Sequence, residues 1–194
     1  MGRKAHFQNS DFLDAAIRII AEGGPGALTI AALAGRIHAP VGSVYHRFRS
    51  RDALLAEVWL GIIESFQGDF IRKLEEDGLA ATLACLHWVR QHPAEARILL
   101  LHRMQDLTTG RWPPELQRRA RRLEKDLHDA VTAFIKRAFG KVTPENTDRA
   151  IFALYDAPLG IIRRYLSNSQ VPPATVADLL RETYNAVMPK AKSR

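Results

Sequence analysis

The chain has 194 residues, 46% hydrophobic and 25% charged, the make-up of one large or two small globular domains with enough apolar surface for a core. Its single cysteine, Cys85, excludes a disulfide framework and a thiolate-cluster zinc site, and no apolar run nears the length of a membrane span. The net charge of +7 favours a polyanionic partner, and with no secretory leader or myristoylation signal a cytoplasmic location is expected.

Apolar residues recur at spacings of three and four almost everywhere, and no strand-length alternation occurs, so the fold class expected is all-α. The first helix is predicted over Asp11 to Ala21, with Leu13, Ile17 and Ile20 as one stripe and Phe12, Ala16 and Ile19 beside it. Gly23-Gly24-Pro25-Gly26 ends it. Thr29 is a plausible N-cap for a helix to about Ile37, without a Glu or Gln at Ala32 to complete a capping box. Pro40 suits the first turn of the next helix and pushes Ala39 out of the α region, which makes the intervening turn.

Advancing about 100° per residue from Pro40 places Val44 and Phe48 at one azimuth as anchors. The opposite side is centred on His46, flanked by Gly42 and Ser43, with Tyr45 at one shoulder and Arg47 near the other edge. A glycine outside costs the helix roughly 1 kcal/mol relative to alanine, which makes sense where something must approach the backbone closely. Ser43 and Tyr45 can bond phosphate oxygens, and His46 and Arg47 can reach base edges. Arg49 and Arg51 flank the start of the following helix, whose amides point toward an anion. Residues 1–55 carry seven Arg or Lys against four acids, which favours the same partner.

These residues resemble the TetR family of bacterial transcriptional repressors. Thr29, Leu33-Ala34, Gly42-Ser43-Val44-Tyr45-His46-Arg47-Phe48 and Ser50-Arg51-Asp52-Ala53-Leu54 fall into the family's motif without a gap, over about a quarter of the chain. The resemblance implies an amino-terminal three-helix helix-turn-helix DNA-binding domain, taken as 1–55, and a helical effector-binding and dimerisation domain, taken as 56–194. It also implies Tyr45 and Arg51 on phosphates, with Val41, Ser43, His46 and Arg47 near bases. The chain departs from the pattern in two places. Ile37-His38-Ala39-Pro40 replaces Ala-Gly-Val-Ser at the turn, and Arg47 replaces an aromatic residue.

Further helices are predicted over Arg51–Glu76, Leu79–Gln91, Pro93–Leu107, Pro114–Phe139, Pro144–Ser167 and Pro173–Val187, with Pro93, Pro114, Pro144 and Pro173 in first turns. Pro158, inside one of them, predicts a kink that could open a cavity. Candidate effector contacts are Trp59, Phe66, His87, Trp88, His102, Met104, Phe152, Tyr155 and Asp156, each of which could equally be plain core or surface. Asp156 stands out because it interrupts the apolar run from Ile151 to Ile162.

The last two helices carry the stripes Ile151, Tyr155, Ile162, Tyr165 and Val176, Leu180, Tyr184, Val187. They are expected to form a four-helix homodimer interface, with intramolecular core as the bland alternative. A two-fold dimer would read two half-sites about 34–36 Å apart. A small-molecule effector would release the DNA by favouring a state with the reading heads too far apart. The arginine block Arg118, Arg119, Arg121, Arg122 reads as a solvated helix face.

No enzyme is expected, and no cofactor or metal. Walker, nucleophile-elbow, H-E-x-x-H and dinucleotide signatures are missing, and Glu124 and His128 stand four apart rather than the three of a di-iron helix. The remaining alternative is a non-specific basic or architectural nucleic-acid-binding protein.

Overall fold

The computed structural model describes residues 7–103 and 112–189. The helices are α1 (Asn9–Gly23), α2 (Ile30–Arg36), α3 (Val41–Arg47), α4 (Arg51–Glu76), α5 (Gly78–Gln91), α6 (Pro93–Leu101), α7 (Pro114–Phe139), α8 (Pro144–Ile151), α9 (Ala157–Ser167) and α10 (Thr175–Val187). A 3-10 turn, Pro25–Ala27, follows α1, and a π turn, Phe152–Asp156, joins α8 to α9. The chain is thus all-α, with no strand among the described residues. Met104 and the Thr109-Gly110 break lie outside them.

Side-chain caps set several helix starts. Thr29 Oγ1 accepts from the Ala32 amide at 3.0 Å, as expected from the sequence. Ser50 Oγ does the same for Ala53, and Asp77 Oδ2 for Ala80. Pro93, Pro114 and Pro144 each open their helix, where the missing N–H costs nothing. Pro173 instead precedes α10 by two residues, its carbonyl accepting from Val176. Pro40 lies one step earlier than expected. It is the N-cap of α3, so that helix begins without a side-chain cap.

The turn between α2 and α3 is made by His38 rather than by Ala39. His38 has φ +55, and around it the Ala39 amide reaches Ala34 O at 2.9 Å while the His38 amide reaches Gly35 O at 3.3 Å. This is a Schellman closure, normally completed by glycine because a Cβ is strained in the left-handed region. His38 stands where the motif has its glycine. Replacing His38 with Gly should therefore raise stability by about 1 kcal/mol, read as a higher denaturant midpoint at unchanged slope. An unchanged or lower midpoint would show that the imidazole contributes something the turn needs.

α1 buries a different face from the one expected. Phe12, Ala15, Ala16, Ile19 and Ile20 are buried, whereas Leu13 and Ile17 are half-exposed. The reason is that α1 packs on two sides, against α2 and against α6, so its buried sector is centred between them. One continuous apolar core then runs from Phe12 and Val44 through α4 and α5 to Leu180. α4 passes through residues 55 and 56 without a break, serving both ends of the molecule.

The kink expected at Pro158 is the π turn. Proline has no N–H, and its ring crowds the carbonyl four residues back, here Leu154 O. Widening the turn relieves the clash, and the Ala157 amide bonds Phe152 O, five residues back. Of the carbonyls around it, Ala153 O accepts from the hydroxyl of Thr82 at 3.1 Å. Thr82 is the one buried polar side chain among the described residues. The Cys85 thiol lies 3.9 Å from Leu154 O, and burial pushes its pKa up to about 12, so it stays a neutral thiol.

Candidate functional site

α3 is rooted as the helical wheel requires. Val44 is 0% and Phe48 5% exposed, locked against Phe12, whose ring meets Phe48 edge-on. Outward stand Val41, 46% exposed, Tyr45, 56% exposed, and the exposed Gly42 and His46. Nothing lies within 4 Å of where a Gly42 Cβ would sit, leaving the backbone open to close approach. Ser43 donates its hydroxyl to Pro40 O at 2.6 Å, so toward a phosphate or base it offers its oxygen as an acceptor. Arg49 is exposed beyond the end of α3.

Two arginines are placed differently from expectation. Arg47 turns back over the domain, its guanidinium donating to Phe7 O at 2.7 Å and Ser43 O at 3.1 Å and covering the Phe12 ring at 4.8 Å. It fills the place of an aromatic residue by stacking on one, and so is withdrawn from the base-reading face. Arg51 donates to Leu28 O and Pro25 O, both at 2.6 Å. Its guanidinium clasps the turn after α1. The spacing of the motif could not show this, because the acceptors lie more than twenty residues away. Thr29 is spent on its cap.

The carboxy-terminal half holds a cavity of about 480 Å³ between α4, α7 and the α8–π segment. Trp59, Leu60, Ile63 and Gln67 form its α4 wall, Leu123, Leu127, Val131 and Ile135 its α7 wall, and Ile151 and Tyr155 its third side. Glu124 and His128 also line it. Of the expected pocket residues that the structure describes, which leaves out Met104, only Trp59 and Tyr155 are there. Phe66 and Trp88 sit on the α4–α5 seam, rings edge to face at 5.3 Å, with the indole N–H bonded to Ser65. His87 is exposed, lining with Trp88 a separate pocket of about 610 Å³. His102 follows the end of α6, Phe152 is 45% exposed and Asp156 is exposed, all three outside the cavity wall.

The dimer stripes need correction for the same kind of reason. Ile162 and Val176 are 0% and Leu180 3% exposed within one subunit, so they cannot meet another copy. Tyr184 packs its hydroxyl against Gly78, and Tyr165 and Val187 are half-buried against the core. Ile151 turns out to be a cavity residue. The outward large apolar side chains on these helices and the π turn are Ile151, Phe152 and Leu179, 38%, 45% and 49% exposed.

The α7 wall was missed, although its signal was present. Leu116, Leu123, Leu127, Val131 and Ile135 recur at helical spacing through an otherwise charged segment. Arg119 fastens α7 to α4, bridging Glu57 at 2.9 Å and Glu64 at 2.5 Å.

A short helix rooted by two apolar side chains, with a compact turn before it and an open outer face, defines a helix-turn-helix protein. Residues 12–58 match the family model described as bacterial regulatory proteins, tetR family. Solved structures agree over nearly the whole chain. A putative tetR family transcription regulator from Shewanella sp. PV-4 superposes with a TM-score of 0.68 at 16% identity, covering 95% of this chain and all of its own. The fatty acid degradation regulator FadR from Bacillus halodurans gives 0.69 at 12% identity, over 99% and 100%. FadR from Bacillus subtilis, in complex with stearoyl-CoA, gives 0.63 at 14%, over 95% and 100%. No curated protein matches the chain. Residues 12–58 thus carry the amino-terminal domain of the tetR family, and the fold of the chain as a whole is that of solved tetR family transcription regulators. No described helix is long and apolar enough to cross a membrane.

Proposed function

We propose that the protein is a cytoplasmic, non-enzymatic transcriptional repressor that binds a palindromic operator as a homodimer and leaves it when a small molecule enters the α4–α7 cavity. The observation that carries the DNA half is α3 itself, where Val44 and Phe48 are buried while Val41, Gly42, Tyr45 and His46 stand outward. Tyr45 suits a phosphate, and His46, with Val41 and Ser43, suits base edges. The division into a DNA-binding part up to about residue 55 and an effector part beyond it is functional, since the core and α4 run through both. For the dimer, the outward face of the α8–α10 region, with Phe152 and Leu179, replaces the buried stripe.

α4 offers the coupling between the halves. Its first residue, Arg51, grips the turn after α1, and two turns on, Trp59, Leu60, Ile63 and Gln67 face the cavity. A ligand that prefers one tilt of α4 over another shifts the reading heads by that preference and by nothing more.

Selection of random duplexes with the purified protein tests the DNA half. A two-fold site with half-sites one helical turn apart is expected, preferred by roughly a thousandfold or more over random duplex. Tyr45→Ala should weaken all duplexes alike, whereas His46→Ala should relax preference at one position per half-site by about 1–3 kcal/mol. Selection that returns no palindrome would favour a non-specific basic binder.

A further inference from the structure

Two residues of the cavity wall, Gln67 and Tyr155, each bury a polar atom with no hydrogen-bond partner, Oε1 and Oη. These are the only unpartnered buried side-chain N or O atoms among the described residues. Native interiors pair such atoms because an unmade bond there is costly, and a ligand site is the ordinary exception. Their positions follow from the fold. Gln67 stands on the α4 stripe facing α7, and Tyr155 sits on the π turn that Pro158 forces, its ring 4.8 Å from Phe70.

We infer that the cavity takes an uncharged, mainly apolar molecule bearing a hydroxyl group, bound through Tyr155 and Gln67. This rests on the effector reading given above and narrows it to a ligand class. An amide oxygen only accepts, while a phenol both donates and accepts. A ligand hydroxyl completes the set once the two side chains turn toward it, accepting from the Tyr155 O–H and donating to Gln67 Oε1. Burial raises the Tyr155 phenol pKa further above its usual value, so it remains a neutral donor.

The rest of the wall is mainly Leu, Ile, Val and Trp, with Glu124, His128, Thr132 and Thr147 as its other polar members, and the volume is that of an ordinary small-molecule site. No arginine or lysine is among the described lining residues, and Arg119 on the α4–α7 seam is held by Glu57 and Glu64. A carboxylate or the phosphates of an acyl-CoA would enter beside Glu124 with neither an arginine nor a lysine to meet it, His128 being the single basic side chain among the described lining residues. The stearoyl-CoA held by the Bacillus subtilis protein is therefore the wrong class of molecule for this chain.

Calorimetric titration of the full chain with three probes sharing one tail, 1-decanol, decanoate and decanoyl-CoA, tests the inference. The alcohol should bind at least tenfold tighter than either anion. Tyr155→Phe and Gln67→Leu should each weaken the alcohol three- to tenfold. Tyr155→Phe should also hold or raise the melting temperature of the unliganded protein, because it deletes an unpaired buried hydroxyl. A merely structural tyrosine would lower it.

Val131→Phe, checked for folding by circular dichroism, fills the cavity and should abolish binding. If an anion binds tighter than the alcohol and Val131→Phe blocks it, the site stands and the ligand class is overturned. If no probe binds, or Val131→Phe changes nothing, the cavity itself is not the effector site and both readings fall.

Discussion

Replacing Phe12 with Ala should unfold the reading head and abolish operator binding, at a cost of about 3–5 kcal/mol. Phe12 is 0% exposed and gathers the domain around one ring. Phe7 meets it edge-on at 5.9 Å, Phe48 at 6.1 Å, and the Arg47 guanidinium lies over its face at 4.8 Å. Truncation removes the anchor of α3 and the seat of Arg47 together, and a cavity that size cannot be closed by Leu33 and Val44 alone. Amide exchange would locate the damage, with protection lost in α1 to α3 and largely kept in α5 and α7. Full protection in α3 with operator binding intact would show that the head is held by its packing on α6 instead.

Replacing Arg51 with Ala should cost about 2 kcal/mol and weaken DNA binding through the fold rather than through the loss of a phosphate partner. Two charge-assisted bonds of 2.6 Å tie Arg51 to Leu28 O and Pro25 O, and each is worth more than a neutral pair. Arg51→Lys keeps the charge but lacks the fork that reaches both carbonyls, so it should recover less than half of the stability. The dependence of affinity on salt separates the two roles. Removing one phosphate-binding cation from each subunit would flatten the log-log slope by about one per subunit, whereas removing a buttress leaves the slope unchanged. Stability untouched in Arg51→Ala, with a flatter slope, would return Arg51 to the DNA.

What could be read in the chain was whatever depends on near neighbours. Thr29 caps the residue three ahead, Val44 and Phe48 share an azimuth one turn apart, and Pro93, Pro114 and Pro144 open helices by their own covalent geometry. The turn before α3 was half-legible. His38 occupies the motif's glycine position, but that it would adopt φ +55 and make the turn itself followed from the Schellman bonds, not from Pro40.

Long side chains and shared faces were a different matter. Arg47 and Arg51 have reach enough to serve DNA or their own domain, and only the tertiary structure brings Phe7 O, Leu28 O and Pro25 O within their reach. Ile162, Val176 and Leu180 look equally adhesive whether they meet their own core or a second copy. Periodicity reveals that a helix has an apolar side and leaves open what lies against it.

From sequence alone came the all-helical class, the helix-turn-helix and the rooted, outward-facing α3, because each is written in local propensity and in side chains a few residues apart. Tertiary structure decided the cavity, its two unpaired polar atoms, the duties of the arginines and which apolar faces remain outside. Those depend on groups tens of residues apart that meet only when α4, α7 and the π turn pack together.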